Sequence, residues 1–316
     1  MKYTEFVTEV HERVQNFYGE KCIVTVQKAL KNNAVELTGL VIKKAGENAA
    51  PVIYLEDLYL NFLKGEKIEK IVREIIEADE LARFNFRFSL PKLEDVNQIK
   101  DKIVCKIINT CRNSNALDEI PHRDILDFSL VYYCIIANEL NVNATFLIYN
   151  QHMEMWGIDE QELYELAMKN TFKILPPRII EIEQLLLELI NDENCSDGTR
   201  CEIREQLDKR CSVPMYVLTN INRLYGAVCM LSDDILREFA DREGDFYILP
   251  SSIHEVILIP DNNKINRFRL GDIVKHVNET QIPAEEILSD SVYFYSHSDK
   301  KISQLNIIKP ETDYAQ

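Results

Sequence analysis

An α+β fold, with mixed and antiparallel sheets made from recurring strand-pair-plus-helix units and covered by helices, is predicted by three features of this sequence. Hydrophobic residues make up 46% of the 316 positions and charged residues 28%, with only 9 Gly and 10 Pro, a composition that supports a buried core and not a disordered or fibrous chain. Short β-branched runs come in pairs separated by polar turn residues. Three times such a pair leads into a window with apolar residues every three or four positions, its start set by Asp or Ser. The recurrence has no fixed period, so no repeat family applies.

The elements follow in order. Phe6, Val10, Val14 and Phe17 step by four, four and three, the stripe of an amphipathic helix over 4–17. "CIVTVQKAL" and "AVELTGLVI" flank "KNN" and predict a hairpin between about 22 and 43. "APVIYLEDLYLNFLKG" passes from a short extended piece into a helix that Gly65 ends, and a second helix carries Ile68, Ile71, Val72 and Ile75. After Pro91 a helix is expected near 94–112, followed by two buried strands in "LDFSLVYYCIIANE" and "NATFLIYN". Asp159 and Glu162 have the spacing of a capping box at the head of the next helix, "LPP" at 175–177 stops it, and another helix covers 180–191. The polar "NDENCSDGT" is the candidate boundary or mobile loop.

In the last third, "VPMYVLTN" and "YGAVCML" read as strands. "SDDILREFADREG" reads as a helix with Ser232 as N-cap and Gly244 at its end. "DFYILP" and "EVILIP" are strands again, "GDIVKHVNETQI" is the final helix and "SVYFYS" the final strand. These elements group into an N-terminal unit over 1–90, a middle unit over 91–193 and a C-terminal unit over 194–316, which pack as separate domains or one assembly.

Charge narrows the partners. The 52 acidic and 36 basic residues give a formal net charge of -16, which repels phosphate backbones and anionic lipid surfaces. Bare nucleic acid and membranes are therefore not the expected partners. The start, "MKYTEFVTEVHERV", is interrupted by charges every few positions, and the longest apolar run, "FSLVYYCIIA", is about half of a membrane span. A cytoplasmic location is expected. The 8 cysteines form no CxxC pair, so reduced thiols are expected; Cys195, Cys201 and Cys211, without a nearby His, fit no zinc pattern.

One stretch, "FYILPSSIHEVILIPD", gathers residues that could carry chemistry: Ser251, Ser252, His254 and Glu255. Its simplest reading is a hairpin connection, with Pro250 halting one strand, the hydroxyls bonding nearby backbone and Ile253 starting the next strand. Neighbouring side chains of an extended chain face opposite ways, so His254 and Glu255 are poorly placed to act as base and orienter. A catalytic or binding role for His254 is the rival reading. His122, in "IPHRD" beside Arg123 and Asp124, is either held by side-chain hydrogen bonds at an element entry or sits on a pocket rim. His152, Met153, Met155 and the single tryptophan, Trp156, read as core anchors, with ligand stacking as the alternative. No Walker loop, dinucleotide fingerprint, HExxH or EF-hand occurs, and no cofactor or metal is expected.

Together "VIYLEDLY", "IPHRDILDFSLVYY", "ATFLIYNQHMEMWGIDEQELYELAMKNT", "YVLTN", "FYILPSSIHEVILIPD" and "EEILSDSVYFYS" resemble an uncharacterised domain-of-unknown-function family of anaerobic gut Firmicutes, chiefly Lachnospiraceae and their relatives. The resemblance runs from about Met1 to Ser296. The segment from Trp156 to Asn170 and the terminal strand-helix-strand part are also similar, more distantly, to a second uncharacterised Firmicute family. Neither implies an activity, ligand or catalytic residue.

The expectation is thus a non-enzymatic, cofactor-free cytoplasmic protein that binds another protein, or regulates it, through an acidic or apolar surface. One version is a DNA mimic that inhibits a nucleic-acid-handling enzyme. The alternatives are a cofactor-free hydrolase or transferase using His254 or His122 in a cleft, and a subunit that self-associates through an apolar surface.

Overall fold

The computed structural model describes residues 1–44, 50–85, 95–139, 142–191, 198, 200, 213–250, 252–262 and 266–305. The polar stretch at 191–199 and the cysteines at 195, 201 and 211 lie largely outside them, as does Ser251. The fold is α+β, and every strand pairing with a described register is antiparallel. Two compact units divide the chain, one made of Met1–Lys92 with Ile135–Thr145 and the other of Leu93–Cys134 with Phe146–Gln316.

In the first unit, α1 (Tyr3–Tyr18) buries Phe6, Val10 and Val14 completely, as its stripe requires. Phe17 was expected on the same stripe but is 59% exposed; its ring rests edge-on against Tyr18 and lies outside the core. Strands β1 (Cys22–Leu30), β2 (Glu36–Lys44) and β3 (Val52–Tyr54) form a sheet in that order. The hairpin pairs Val24 with Ile42 and Gln27 with Gly39 without a bulge. Its turn runs from Lys31 to Val35 and places Asn33 and Ala34 in the left-handed region, where Asn is at home.

Helices α2 (Glu56–Leu63) and α3 (Ile68–Asn85) follow, with Gly65 at φ 99° between them. Leu55, Ile71 and Ile75 join Leu40 and Ile42 in its core. Phe6 packs against Tyr59 and Phe62 with ring centroids 5.2 and 5.4 Å apart. Asp79 is fully buried on α3; the Tyr18 hydroxyl and Arg83 Nε both donate to its Oδ2, at 2.8 and 2.7 Å. That pairing is what makes a buried carboxylate tolerable.

The second unit opens with a correction. The helix expected near 94–112 is instead two short 3-10 turns and then β4 (Ile103–Asn109), in which every residue but Lys106 is buried. A strand enclosed on both faces shows no apolar-polar alternation, and its β-branched content is then the better guide. A short helix, α4 (Ser114–Leu117), precedes β5 (His122–Ile125), β6 (Phe128–Glu139) and β7 (Val142–Leu147), of which Ile135–Thr145 belong to the first unit. β6 lies between β4 and β5 and also pairs with β7.

Next come α5 (Asn150–Trp156) and α6 (Glu160–Ile174), the latter capped by the Asp159 carboxylate, which accepts from Glu162 N at 2.8 Å. Met153 and Trp156 pack on the core as expected, while Met155 is exposed. β8 (Pro177–Glu181) precedes α7 (Ile182–Ile190) and occupies the start of the helix expected over 180–191. β9 (Tyr216–Asn220) is followed not by a strand but by a 3-10 helix, Gly226–Leu231, whose first five residues are buried. Gly, Ala and Cys let this segment pass through the core where a β-branched strand would not fit.

α8 (Asp233–Glu243), β10 (Phe246–Leu249), β11 (Val256–Pro260), α9 (Arg267–Thr280), β12 (Tyr293–Ser296) and β13 (Lys301–Gln304) finish the chain. β13 is an addition to the strands expected. The large sheet has the order β13-β12-β10-β11-β9-β8. One face presents Leu218, Phe246, Ile248, Val256, Leu258 and Tyr293 to a core shared with β4, β6 and the 226–231 helix. The other face, with Tyr247, Leu249 and Ile259, packs on Leu270 and Val274 of α9.

Candidate functional site

The stretch from 246 to 261 is the predicted hairpin: β10 and β11 pair with Ile248 opposite Leu258. Its connection is laced into the unit by backbone bonds, Ile253 N donating to Glu286 O at 2.9 Å and Ala227 N to Ile253 O at 3.3 Å. Ser252 is buried, and its hydroxyl accepts from the backbone N of His254 at 3.0 Å. Thr219 Oγ1 donates to His254 O at 2.8 Å.

The His254 ring meets other groups. Its Nδ1 accepts from Tyr225 N at 3.1 Å, which leaves the proton of the neutral ring on Nε2, facing Glu286 Oε1 at 3.6 Å. The ring stacks on Tyr225 with centroids 5.4 Å apart and planes 14° from parallel. Lys106 Nζ lies 4.0 Å from the Tyr225 centroid, and Tyr133 meets the same ring edge-on at 5.3 Å. Tyr225 reaches this position with φ 54°, an uncommon conformation for an aromatic residue. Burial lowers the His254 pKa, the Glu286 carboxylate opposes that and Lys106 adds to it. Burial likewise raises the Glu255 pKa, offset in part by Arg223.

This arrangement fixes the imidazole in one neutral tautomer, between a backbone donor and a carboxylate. The Ser252 hydroxyl serves the main chain and not the ring, so the two do not form a nucleophile-base pair. Among the described residues no hydrogen bond joins the Glu255 side chain to the His254 ring. His122 lies elsewhere, on β5, where its Nδ1 donates to the carbonyl of Ile120 at 3.0 Å. Its neighbour Arg123 binds Glu160 at 2.6 Å and covers the Tyr164 ring. His152 lies flat on Trp156, 5.5 Å between centroids, within the aromatic packing of α5. Lys106, Tyr133 and Tyr225 were not singled out from the sequence, because no local motif joins positions so far apart; Glu286, with Glu285, reads from sequence as a helix start but lies in a turn. Among the described residues no three His, Cys, Asp or Glu side chains group as metal ligands, and no helix is long and apolar enough to cross a membrane.

A different surface is left open. Sheet edges offer unpaired N–H and C=O groups and are ordinarily short or covered. Here β3, β5, β8 and β13 are 3, 4, 5 and 4 residues long. The edge of β4 is covered by α6: Cys105 N donates to Thr171 Oγ1 at 2.9 Å, and Asn170 Nδ2 donates to Ile103 O at 3.0 Å. β1, at 9 residues, is the long exception. Its first half is covered by α1, as His11 Nε2 bonds Val24 O at 3.0 Å and Gln15 Oε1 accepts from Val24 N at 2.9 Å.

With no bulge in the register, the groups of Val26 and Lys28 point the same way as those of Val24, and among the described residues no helix side chain meets them. Beside them Ile23, Val26 and Leu30 are 68%, 41% and 67% exposed. This segment is also locally basic: Lys21, Lys28, Lys31, Lys43 and Lys44 stand against Glu20 and Glu36 between Gly19 and Lys44. The sequence shows the hairpin, but not which of its strands is left without a neighbour.

A family model described as a family of unknown function (DUF5688) matches residues 3–297. No curated protein and no solved structure matches the chain. By a match over nearly its whole length, the chain belongs to the DUF5688 family of unknown function.

Proposed function

We propose that this is a non-enzymatic binding protein that takes up an extended, acidic segment of another protein as an added strand along β1. The observation that carries the reading is the open distal half of β1, a backbone edge flanked by exposed Ile23, Val26 and Leu30. Strand addition uses such an edge: main-chain hydrogen bonds supply affinity and alternate side chains supply specificity. The lysines of the hairpin select for acidic residues in a chain that is otherwise strongly acidic. Of the acidic and apolar surfaces that composition allows for a protein partner, this places recognition on the apolar one. The setting is the cytoplasm of a gut Firmicute, the group whose family the sequence resembles; the described cysteines are free and mostly buried, which suits a reducing compartment.

The test uses a fluorescein-labelled decapeptide of alternating Glu and Val, titrated with the full-length protein and followed by anisotropy. Val26→Pro removes an outward N–H while sparing the ladder to β2, a substitution that edge strands accept. Binding should weaken by tenfold or more in this variant and fall with added salt, and a Lys-Val peptide should not bind. Equal binding by Val26→Pro, or by both peptides, overturns the reading. So does a wild-type dimer that Val26→Pro dissociates, because the occupant of the edge is then a second copy.

A further inference from the structure

The open length of β1 can be counted residue by residue. Gln15 and His11 take the main-chain groups of Val24, and Gln15 Nε2 also donates to Cys22 O at 3.1 Å. In an antiparallel pair every second residue turns its main-chain groups away from the partner strand. Continued through the register with β2, that alternation leaves Val26, Lys28 and Leu30 facing outward. Beyond Leu30 the chain reverses, with Lys31 N donating to Val35 O at 2.7 Å. An added strand is therefore limited to pairing with residues 26–30.

The three outward residues also share one face of the sheet, because side chains alternate along a strand. It is the face of Cys22 and Val24, which are buried, whereas Val26, Lys28 and Leu30 are exposed. Lys28 supplies the charge. Its Nζ donates to Glu36 Oε1, which stands diagonally across β2, opposite Leu30. An ammonium has three donors, so Lys28 can also meet a carboxylate on the side away from β2. The opposite face of the window carries Thr25, Gln27 and Ala29, none of them charged or large and apolar. The other lysines of the hairpin stand away from it. Lys43 and Lys44 pair with Ile23 and Cys22 at the covered end, and Lys31 Nζ lies 4.0 Å from the centre of the Tyr54 ring on β3.

Resting on strand addition along β1, we infer that the recognised segment has the pattern apolar-x-acidic-x-apolar, with its outer residues opposite Val26 and Leu30 and its Asp or Glu opposite Lys28. Directly opposed side chains are the closest cross-strand pairs, where opposite charges stabilise and like charges destabilise. Apolar residues beside Val26 and Leu30 remove exposed hydrocarbon from water. The pattern reads the same from either end, so it holds for either direction of the added strand.

Three fluorescein-labelled decapeptides, with serine and glycine flanks, test it by anisotropy with the full-length protein. Their centres are Val-Thr-Glu-Thr-Val, Val-Thr-Lys-Thr-Val and Thr-Val-Glu-Val-Thr. The third has the composition of the first, but sends both valines to the opposite face when its Glu meets Lys28. The first should bind about threefold more tightly than either of the others, or better. Lys28→Gln should erase the difference between the Glu and Lys centres, and Lys28→Glu should reverse it. Val26→Pro should weaken the first peptide by tenfold or more, as the open edge requires. If that loss is seen but the third peptide binds as tightly as the first, or the preference for Glu survives in Lys28→Gln, the pattern is overturned and the edge stands. Absence of binding by all three peptides, or binding indifferent to Val26→Pro, overturns both.

Discussion

Of the described glycines, Gly226 leaves least room for a side chain, and replacing it with Ala tests how the 226–231 helix is held. A Cβ built there would lie 2.2 Å from Thr219 Oγ1, 2.6 Å from His254 O and 2.7 Å from Asn220 N. Two of those three atoms are backbone of β9 and of the β10–β11 connection, so relief requires moving main chain and not rotating a side chain. Overpacking of a buried site costs about 1–3 kcal/mol. The same methyl displaces the Thr219 hydroxyl from the His254 carbonyl, a bond of 2.8 Å worth about 1 kcal/mol. The reduced freedom of the unfolded chain returns about 0.5 kcal/mol. The balance is a loss of about 1.5–3.5 kcal/mol. With a urea dependence of about 3 kcal/mol per molar, the unfolding midpoint should fall by about 1 M. Trp156 packs against the core that contains residues 227–230 and reports this transition. A midpoint within roughly 0.2 M of the parent would show that the segment moves aside freely and that the close approach of three elements does not constrain it.

Gly39→Ala should cost less, about 1 kcal/mol, because the first atom its Cβ meets is Val52 Cγ1 at 2.4 Å, the end of a side chain; hydrogen exchange of the β1–β2 ladder measures the loss. Arg83→Ala leaves Asp79 buried with only Tyr18 as partner and should destabilise by about 3 kcal/mol, read from denaturant unfolding by circular dichroism; a loss below about 1 kcal/mol would mean that the pair behaves as if exposed. Burial lowers the pKa of both His254 and His152. The unfolded chain takes up these protons near pH 6.5 and the folded one only at lower pH, so stability is full above about 6.5 and is lost as pH falls through the folded values. The urea midpoint should decline between about pH 7 and 5, with a shallower decline in His254→Gln; a flat profile in the parent contradicts the burial of either ring.

Much of this architecture was legible because local pattern and tertiary context agree. Phe6, Val10 and Val14 form the stripe that α1 buries; Asp159 caps the helix its spacing announced; and "FYILP" with "EVILIP" is the predicted hairpin. Two of the failures share a cause. β4 and the 226–231 segment are buried on all sides, and a segment with no solvent face carries no periodicity to separate strand from helix. The site fared worse for a related reason. His254 was visible, but its partners Tyr225, Glu286 and Lys106 come from three other elements, and only the fold brings them to one ring. The open edge of β1 is a property of the sheet order, since nothing within "CIVTVQKAL" distinguishes an edge from a centre.

Strand addition along β1 has a global and a local signature. A ligand that binds only the folded state stabilises it by about 2.7 kcal/mol at a hundredfold excess over its Kd. The acidic peptide has a more local signature, because strand addition forms hydrogen bonds at amides that now lack them. Val24 N already donates to Gln15, and the amides of Thr25 and Gln27 point into the ladder with β2, so peptide can slow their exchange only by stabilising the unit as a whole. Val26 and Lys28 point outward, and a bound strand must protect them directly. Added peptide should thus slow exchange at Val26 and Lys28 far more than at Thr25 and Gln27. Equal slowing at all four would mean that the peptide binds elsewhere on the unit, and strand addition along β1 would have to be abandoned even if the affinity were high.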